Sequence, residues 1–241
     1  MQARNDEFIS NLDPDIFSHG RVLRRFPRSD ACRFSARTAL NLLERVATRG
    51  DSGDPQVLWD PFCGIGMIPC VALAAFPGKF DVVVASDING EACSCARRNM
   101  QIVTDVGAFE ARLGEINRSR RMNRGMDKRS GIVERYMKRI QPMLLGSSCP
   151  SRFAAVKSDA FFLPAAVNGD LHLVSDLPHG KESLLHGGHL RELLPSLREA
   201  YPRASISLVT TSDAVGELCA SSVVADCWSL AGGRVVVQAR A

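Results

Sequence analysis

Between Val57 and Ala75 the chain passes from a short apolar run, Val57-Leu58-Trp59, through Asp60 and the loop Pro61-Phe62-Cys63-Gly64-Ile65-Gly66, into an apolar helical stretch from Met67. An apolar strand that stops at an acid and turns through glycine into a helix is how a parallel α/β sheet begins, because parallel strands need a crossover between them. The pattern then repeats as a strand from Asp81 to Ala85 and a helix from Glu91 to Val103, with Pro77-Gly78 and Asn89-Gly90 as the turns. Such βαβα alternation predicts a layered α/β fold with helices packed on a parallel sheet.

Upstream, apolar residues at 36, 39, 40, 43, 46 and 47 form a helical stripe, with Ser35 as its N-cap and Gly50 near its end. Downstream, strands are expected at Phe153 to Val156, Leu171 to Val174 and Ile206 to Thr210. A helix marked by Leu190, Leu193, Leu194 and Leu197 separates the last two, and Pro195 is expected to kink it. Cys227 to Leu230 and Arg234 to Gln238 flank Gly232-Gly233, the pattern of a terminal β-hairpin. Residues 106–150 are too long for an ordinary connection and read as a basic helical insertion. Its second half carries Ile132, Val133, Tyr136, Met137, Ile140 and Leu144 on one side and Arg135, Lys138 and Arg139 on the other. The whole chain, 1–241, is read as one domain, with 1–50 a basic N-terminal extension and helix.

The 45% hydrophobic and 23% charged content excludes a disordered or fibrous chain. The start, MQARNDEFIS, lacks the apolar segment of a secretory signal. The longest apolar run, Met67 to Phe76, falls well short of the ~20 residues a bilayer requires. The eight cysteines therefore read as reduced core and loop thiols of a cytoplasmic protein with no membrane partner. Net charge is only +4, but it is unevenly spread. Residues 112–139 carry ten Lys/Arg against three acids, for +7; residues 21–37 carry six Arg against Asp30, for +5; the remainder is −8. Two basic stretches on an acidic body suit a polyanion such as RNA, although charge alone fits a solvated helix face equally well.

Open α/β sheets bind ligands at the carboxyl ends of their strands, which here carry acids. The glycine loop after Asp60 does not fit a dinucleotide fingerprint, because the slot for a third small residue holds Met67 or Pro69. Asp87 ends the second strand, where a carboxylate can accept hydrogen bonds from the two hydroxyls of a ribose. Asp159, after the third, can accept from an exocyclic adenine amine or serve only its own turn. After the fourth strand, Ser175-Asp176-Leu177-Pro178-His179 places a carboxylate, a carbonyl, a rigid proline and an aromatic ring together. Asp176 and the Leu177 carbonyl can accept from a base nitrogen, and His179 can stack on a planar base.

A sheet of five parallel strands closed by an antiparallel hairpin is similar to the seven-stranded, Rossmann-like fold of class I S-adenosylmethionine-dependent methyltransferases. The Asp-Leu-Pro-His corner resembles their Asp/Asn-Pro-Pro-Tyr loop. Over most of the chain the likeness tightens to the avilamycin-resistance, AviRa-type, 23S ribosomal RNA guanine methyltransferases. LWDPFCGIG resembles that family's LWDPCCGSG, VVASDING its VIASDVD and SDLPHGKES its TDLPYGERT. The early helix with Phe34 and Arg37, and the basic insertion, sit where the family has them. The resemblance implies methyl transfer from S-adenosylmethionine to a guanine nitrogen of ribosomal RNA. It implies cofactor binding by Asp60, Cys63, Gly64, Gly66, Asp87, Ile88, Asp159 and Ala160, and base binding by Asp176, Leu177, Pro178 and His179. RNA contacts would fall to Arg33, Arg37, Arg120, Arg121, Arg124, Lys128 and Arg129. His179 stands where the family has Tyr, which leaves the methylated nitrogen open and adds a titratable ring. Other readings of the same residues are methylation of another RNA or a small aromatic, or cofactor and RNA binding without turnover.

The remaining constellations are bland. Cys93 and Cys95 sit two apart on a helix and point apart, and no pair has zinc-ligand spacing, so no metal is expected. His186 and His189 bracket Gly187-Gly188 in a loop expected to be flexible, and Met122 and Met126 read as helix-docking residues.

Overall fold

The computed structural model describes residues 22–24, 35–47, 53–122, 151–160, 169–177, 189–220, 226–230 and 233–239. Among these, the elements run α1 Ala36–Ala47, β1 Gln56–Asp60, α2 Met67–Ala75, β2 Val82–Asp87, α3 Gly90–Thr104, α4 Val106–Met122, β3 Arg152–Lys157, β4 Asp170–Asp176, α5 Leu190–Ala200, β5 Ser205–Thr211, α6 Ser212–Leu218, β6 Asp226–Leu230 and β7 Arg234–Ala239. The seven strands form one sheet in the order β3-β2-β1-β4-β5-β7-β6. The first five are parallel, β7 runs antiparallel to β5, and β6 pairs antiparallel with β7.

Strand pleating sorts the core into two halves. Leu58, Val83, Ala85, Val174, Val209 and Val236 face α1, α2 and α3. Their neighbours Val57, Trp59, Leu173, Leu208 and Val237 face α5 and α6. Side chains alternate across a strand with period two, so each central strand must be apolar on both faces. That is why β1 is buried along its whole length and reads as a continuous apolar run. Ser35 caps α1 as its sequence suggests, its Oγ accepting from the Thr38 N–H at 3.1 Å.

One expectation changes, that for Met122. Residues 106–122, read as the start of an insertion, form a helix that follows α3 across Asp105 and packs on it. The expected helix over 132–144 lies outside the described residues. Met122 does not dock but stands 84% exposed at the end of α4. Pro195 lies inside α5 without ending it. The bond its missing N–H forgoes is offset by burial of Leu193, Leu194 and Leu197 against the sheet.

The first described segment, 22–24, is clasped between α3 and α4. Asn99, wholly buried, accepts from the Arg24 N–H at 2.6 Å and donates to the Arg24 carbonyl at 3.0 Å and to the Ile65 carbonyl at 2.8 Å. Arg112 Nε donates to the Val22 carbonyl, and Arg24 and Arg112 both bond the Glu115 carboxylate, at 2.6 and 3.0 Å. One amide on α3 thus ties the N-terminal segment to the glycine loop. Replacing Asn99 with Leu, of similar volume, strands these backbone groups and should lower unfolding free energy by about 3 kcal/mol. A urea midpoint unchanged from that of the native chain would show that Asn99 carries none of this.

Candidate active site at the strand tips

The parallel register brings the acids to one edge of the sheet. Asp60 lies opposite Ala85 and Asp87 opposite Lys157, while Asp176 lies opposite Val209. Past β2, the Ser158 N–H donates to the Asp87 carbonyl, which sets Asp159 and buried Ala160 directly beyond that tip. The tips of β1, β2, β3 and β4 are therefore neighbours, although the acids they carry lie far apart in the chain.

Asp87 ties the loops at the β1 and β2 tips together. Its Oδ2 accepts from the Gly64 N–H at 3.0 Å and its Oδ1 from the Asn89 N–H at 2.8 Å, so one carboxylate joins the loops after β1 and β2. Burial pushes this carboxyl up, against the two backbone N–H groups that pull it down. Beside it Ile88 is 43% exposed, an apolar side chain held out at the strand end. Asn89 caps α3 by accepting from the Glu91 N–H at 2.9 Å.

The two glycines of the loop are there for different reasons. Gly64 has φ +51 and open space where a Cβ would stand. Gly66 has φ +82, and a Cβ there would meet the Ala96 Cβ at 3.0 Å. Left-handed backbone favours glycine at both, but only Gly64 leaves room for a ligand; Gly66 lets α2 pack against α3. Cys63 is buried, its N–H bonded to the Ser86 carbonyl at 2.9 Å. A hydrogen bond with Cys93, together with burial, pushes its thiol up, so it remains a neutral thiol in the loop wall. Cys93 also donates to the Asp87 and Val156 carbonyls, whereas Cys95 donates to the Arg24 carbonyl; the two do point apart.

Asp60 is placed deeper than its position in the motif suggests. It is 2% exposed, and its Oδ1 accepts from Ser175 Oγ at 2.5 Å and from the Phe62 N–H at 3.3 Å. Burial pushes the carboxyl up to about 8, outweighing those two bonds. Asp60 thus braces β1 against β4 from beneath the crevice.

Asp176 ends β4 and Leu177 follows it. The Leu177 N–H is bonded to the Val209 carbonyl at 2.9 Å and its side chain is buried. Arg234, at the start of β7, donates from Nη1 to Asp176 Oδ1 at 2.5 Å. Neither Arg234 nor Ser175 was singled out from sequence. The available signals were an arginine opening an otherwise apolar strand and a serine adjoining Asp176. Pro178 and His179 lie outside the described residues, as do Arg33, Arg124, Lys128, Arg129 and His186. Arg37 is exposed on α1, and Arg120 and Arg121 belong to the last turns of α4. His189 precedes α5, where its N–H donates to Glu192 Oε2. Among the described residues no cluster of His, Cys, Asp or Glu could hold a metal ion, and no helix is long and apolar enough to cross a membrane.

Comparison with known proteins identifies the family and the fold. The family described as rRNA methyltransferase AviRa matches residues 8–218. A curated relative from Streptomyces viridochromogenes, a 23S rRNA (guanine(2535)-N(1))-methyltransferase, is 24% identical over 212 residues, 84% of this chain and 82% of that protein. Two solved structures of the rRNA methyltransferase aviRa from the same organism, 24% and 23% identical, superpose with TM-scores of 0.76 and cover 95% of this chain and 93% of theirs. The seven-stranded fold is shared with them.

Because the Asp60 carboxyl binds its proton more tightly folded than unfolded, its contribution to stability is complete below about pH 4. It declines as pH rises toward 8, where the buried group ionises. Asp87 acts in the same direction. Asp60→Asn removes the larger of these two titrations, so the fall in Tm between pH 5 and 8 should be markedly shallower in the variant. Equal slopes for variant and native protein would mean that Asp60 ionises freely in the fold.

Proposed function

Because the chain belongs to the AviRa family of rRNA methyltransferases, we propose that it transfers a methyl group from S-adenosylmethionine to ring N1 of a guanine in 23S ribosomal RNA, the atom named for its curated relative. The observation that carries this reading is the convergence of Asp87, Asp159 and Asp176 on one edge of a seven-stranded sheet, beside a glycine with open space in front of it.

The donor brings its methyl carbon already activated on a sulfonium: as the N1–carbon bond forms, the carbon–sulfur bond breaks to leave a neutral thioether and the N1 proton is given up to water, so the protein's task is alignment, an effect worth up to about 7 to 11 kcal/mol. Asp87 would accept from the ribose hydroxyls; each oxygen already holding a backbone N–H keeps a further lone pair. Ile88 offers an apolar surface to the flat adenine, and Asp159 with Ala160 closes its edge. Gly64 lets the loop backbone approach the ligand. Asp60, Cys63 and Gly66 keep that loop in shape from below.

The guanine would enter beside Asp176. The Asp176 carboxylate and the Leu177 carbonyl accept its N–H groups, Pro178 stiffens the corner, and the His179 ring stacks on the base. Chemistry on a base that is paired or stacked requires its extrusion, and the energy for that comes from contacts elsewhere on the RNA. The two basic stretches supply such contacts. Arg24 and Arg112, one from each stretch, meet at Glu115. Arg33, Arg37, Arg120, Arg121, Arg124, Lys128 and Arg129 would hold phosphates, in a cytoplasmic enzyme.

Methylated N1 blocks the Watson–Crick edge, so reverse transcription should stop at a single guanosine in RNA treated with native protein and S-adenosylmethionine. Asp176→Ala should bind the cofactor as the native chain does and methylate at least about a hundredfold more slowly. A stop of native strength with Asp176→Ala removes that carboxylate from the mechanism.

A further inference from the structure

Three strands meet at the Asp176–Arg234 bond. β4 supplies the carboxylate, β5 fixes the backbone just beyond it through Leu177 N–H to Val209, and β7 supplies the guanidinium from a register position opposite Thr211. Both side chains are largely covered, 10% exposed for Arg234 and 19% for Asp176. A surface ion pair of this kind would mean little, but a covered one at a strand tip fixes the rotamers of both partners. The pair also answers a charge problem. Asp87 shares this edge, and Asp176 is near enough to Asp60, whose burial already keeps it largely protonated, to raise its proton affinity further. An RNA strand, itself an anion, has to approach this acid-lined edge. Pairing with Arg234 offsets the charge of Asp176 without exhausting its acceptor capacity, since a carboxylate has about four lone-pair sites.

We propose that Arg234 is a positioning residue for guanine recognition: by holding Asp176 Oδ1 it orients the carboxylate to accept from the exocyclic N2 amine of the target base, the group that distinguishes guanine from hypoxanthine. The hairpin β6–β7 is then a working wall of the base pocket. This rests on Asp176 being the residue that receives the base. Guanine and hypoxanthine share N1–H and O6 and differ only in the amine, so the inosine-for-guanosine exchange reads the Asp176 contact in isolation.

The test uses an RNA transcript spanning the guanosine that the native protein methylates, in two forms, with guanosine or inosine at that position. Native protein should favour guanosine, with kcat/KM at least about tenfold higher, as expected when a carboxylate placed for an amine finds none. Arg234→Met should bind S-adenosylmethionine with native affinity in calorimetry. Its kcat/KM on the guanosine RNA should fall about a hundredfold, and the guanosine-to-inosine ratio should collapse toward one. Arg234→Lys keeps the charge without the planar fork; it should fold and show an intermediate ratio, and it decides the matter if the Met variant does not fold. A native ratio in Arg234→Lys together with either a native ratio or no fold in Arg234→Met confines Arg234 to the fold and overturns the proposal. A rise in rate on losing Arg234 also overturns it, since the bond would then be one the base must break. Failure of the native protein to methylate any guanosine counts instead against the reading of Asp176 and of the reaction.

Discussion

The parallel pairing of β1 with β2 on one side and β4 on the other is the constraint from which the active edge follows. The two pairings set Asp87 and Asp176 level with each other, two residues beyond Asp60, and three acids from distant parts of the chain come to one edge. The bond from Ser175 Oγ to Asp60, 2.5 Å long and wholly buried, locks the β1–β4 side. The two backbone N–H groups held by Asp87 lock the β1–β2 side.

Charge is divided with some economy across the rest of the molecule. The crevice is acidic, which suits a cationic sulfonium donor and the N–H groups of guanine but opposes a phosphate backbone. Basic residues also lie on α1, along α4 and in the segment that Asn99 clasps. Some of them serve the fold as well: Arg24 and Arg112 share Glu115, whose carboxyl their bonds pull below its ordinary range. At the crevice itself Arg234 bonds Asp176.

Much of this was legible in the chain. The strands announced themselves because central parallel strands are apolar on both faces, and the acids that end them lie where the apolar runs stop. Asp87 and Asp176 could be placed from that rule alone, and the family likeness of LWDPFCGIG and SDLPHGKES pointed to the reaction. What escaped notice depends on partners far along the chain. The reason for glycine at 66 is Ala96, thirty residues away on another helix. Arg234 finds Asp176 only after β7 inserts antiparallel beside β5. The depth of Asp60 follows from Ser175, and the docking of 22–24 follows from an asparagine in the middle of a helix. Periodicity describes one element at a time and is silent about such pairs. Met122 was misjudged for the converse reason, an apolar residue at a helix end with nothing to pack on.

Mass spectrometry of the nucleosides from 23S ribosomal RNA, incubated with the protein and isotopically labelled S-adenosylmethionine, tests the account most directly. It should find label in 1-methylguanosine alone, approaching one per RNA molecule. Label in another nucleoside, or none despite cofactor binding seen in the same preparation, would contradict it.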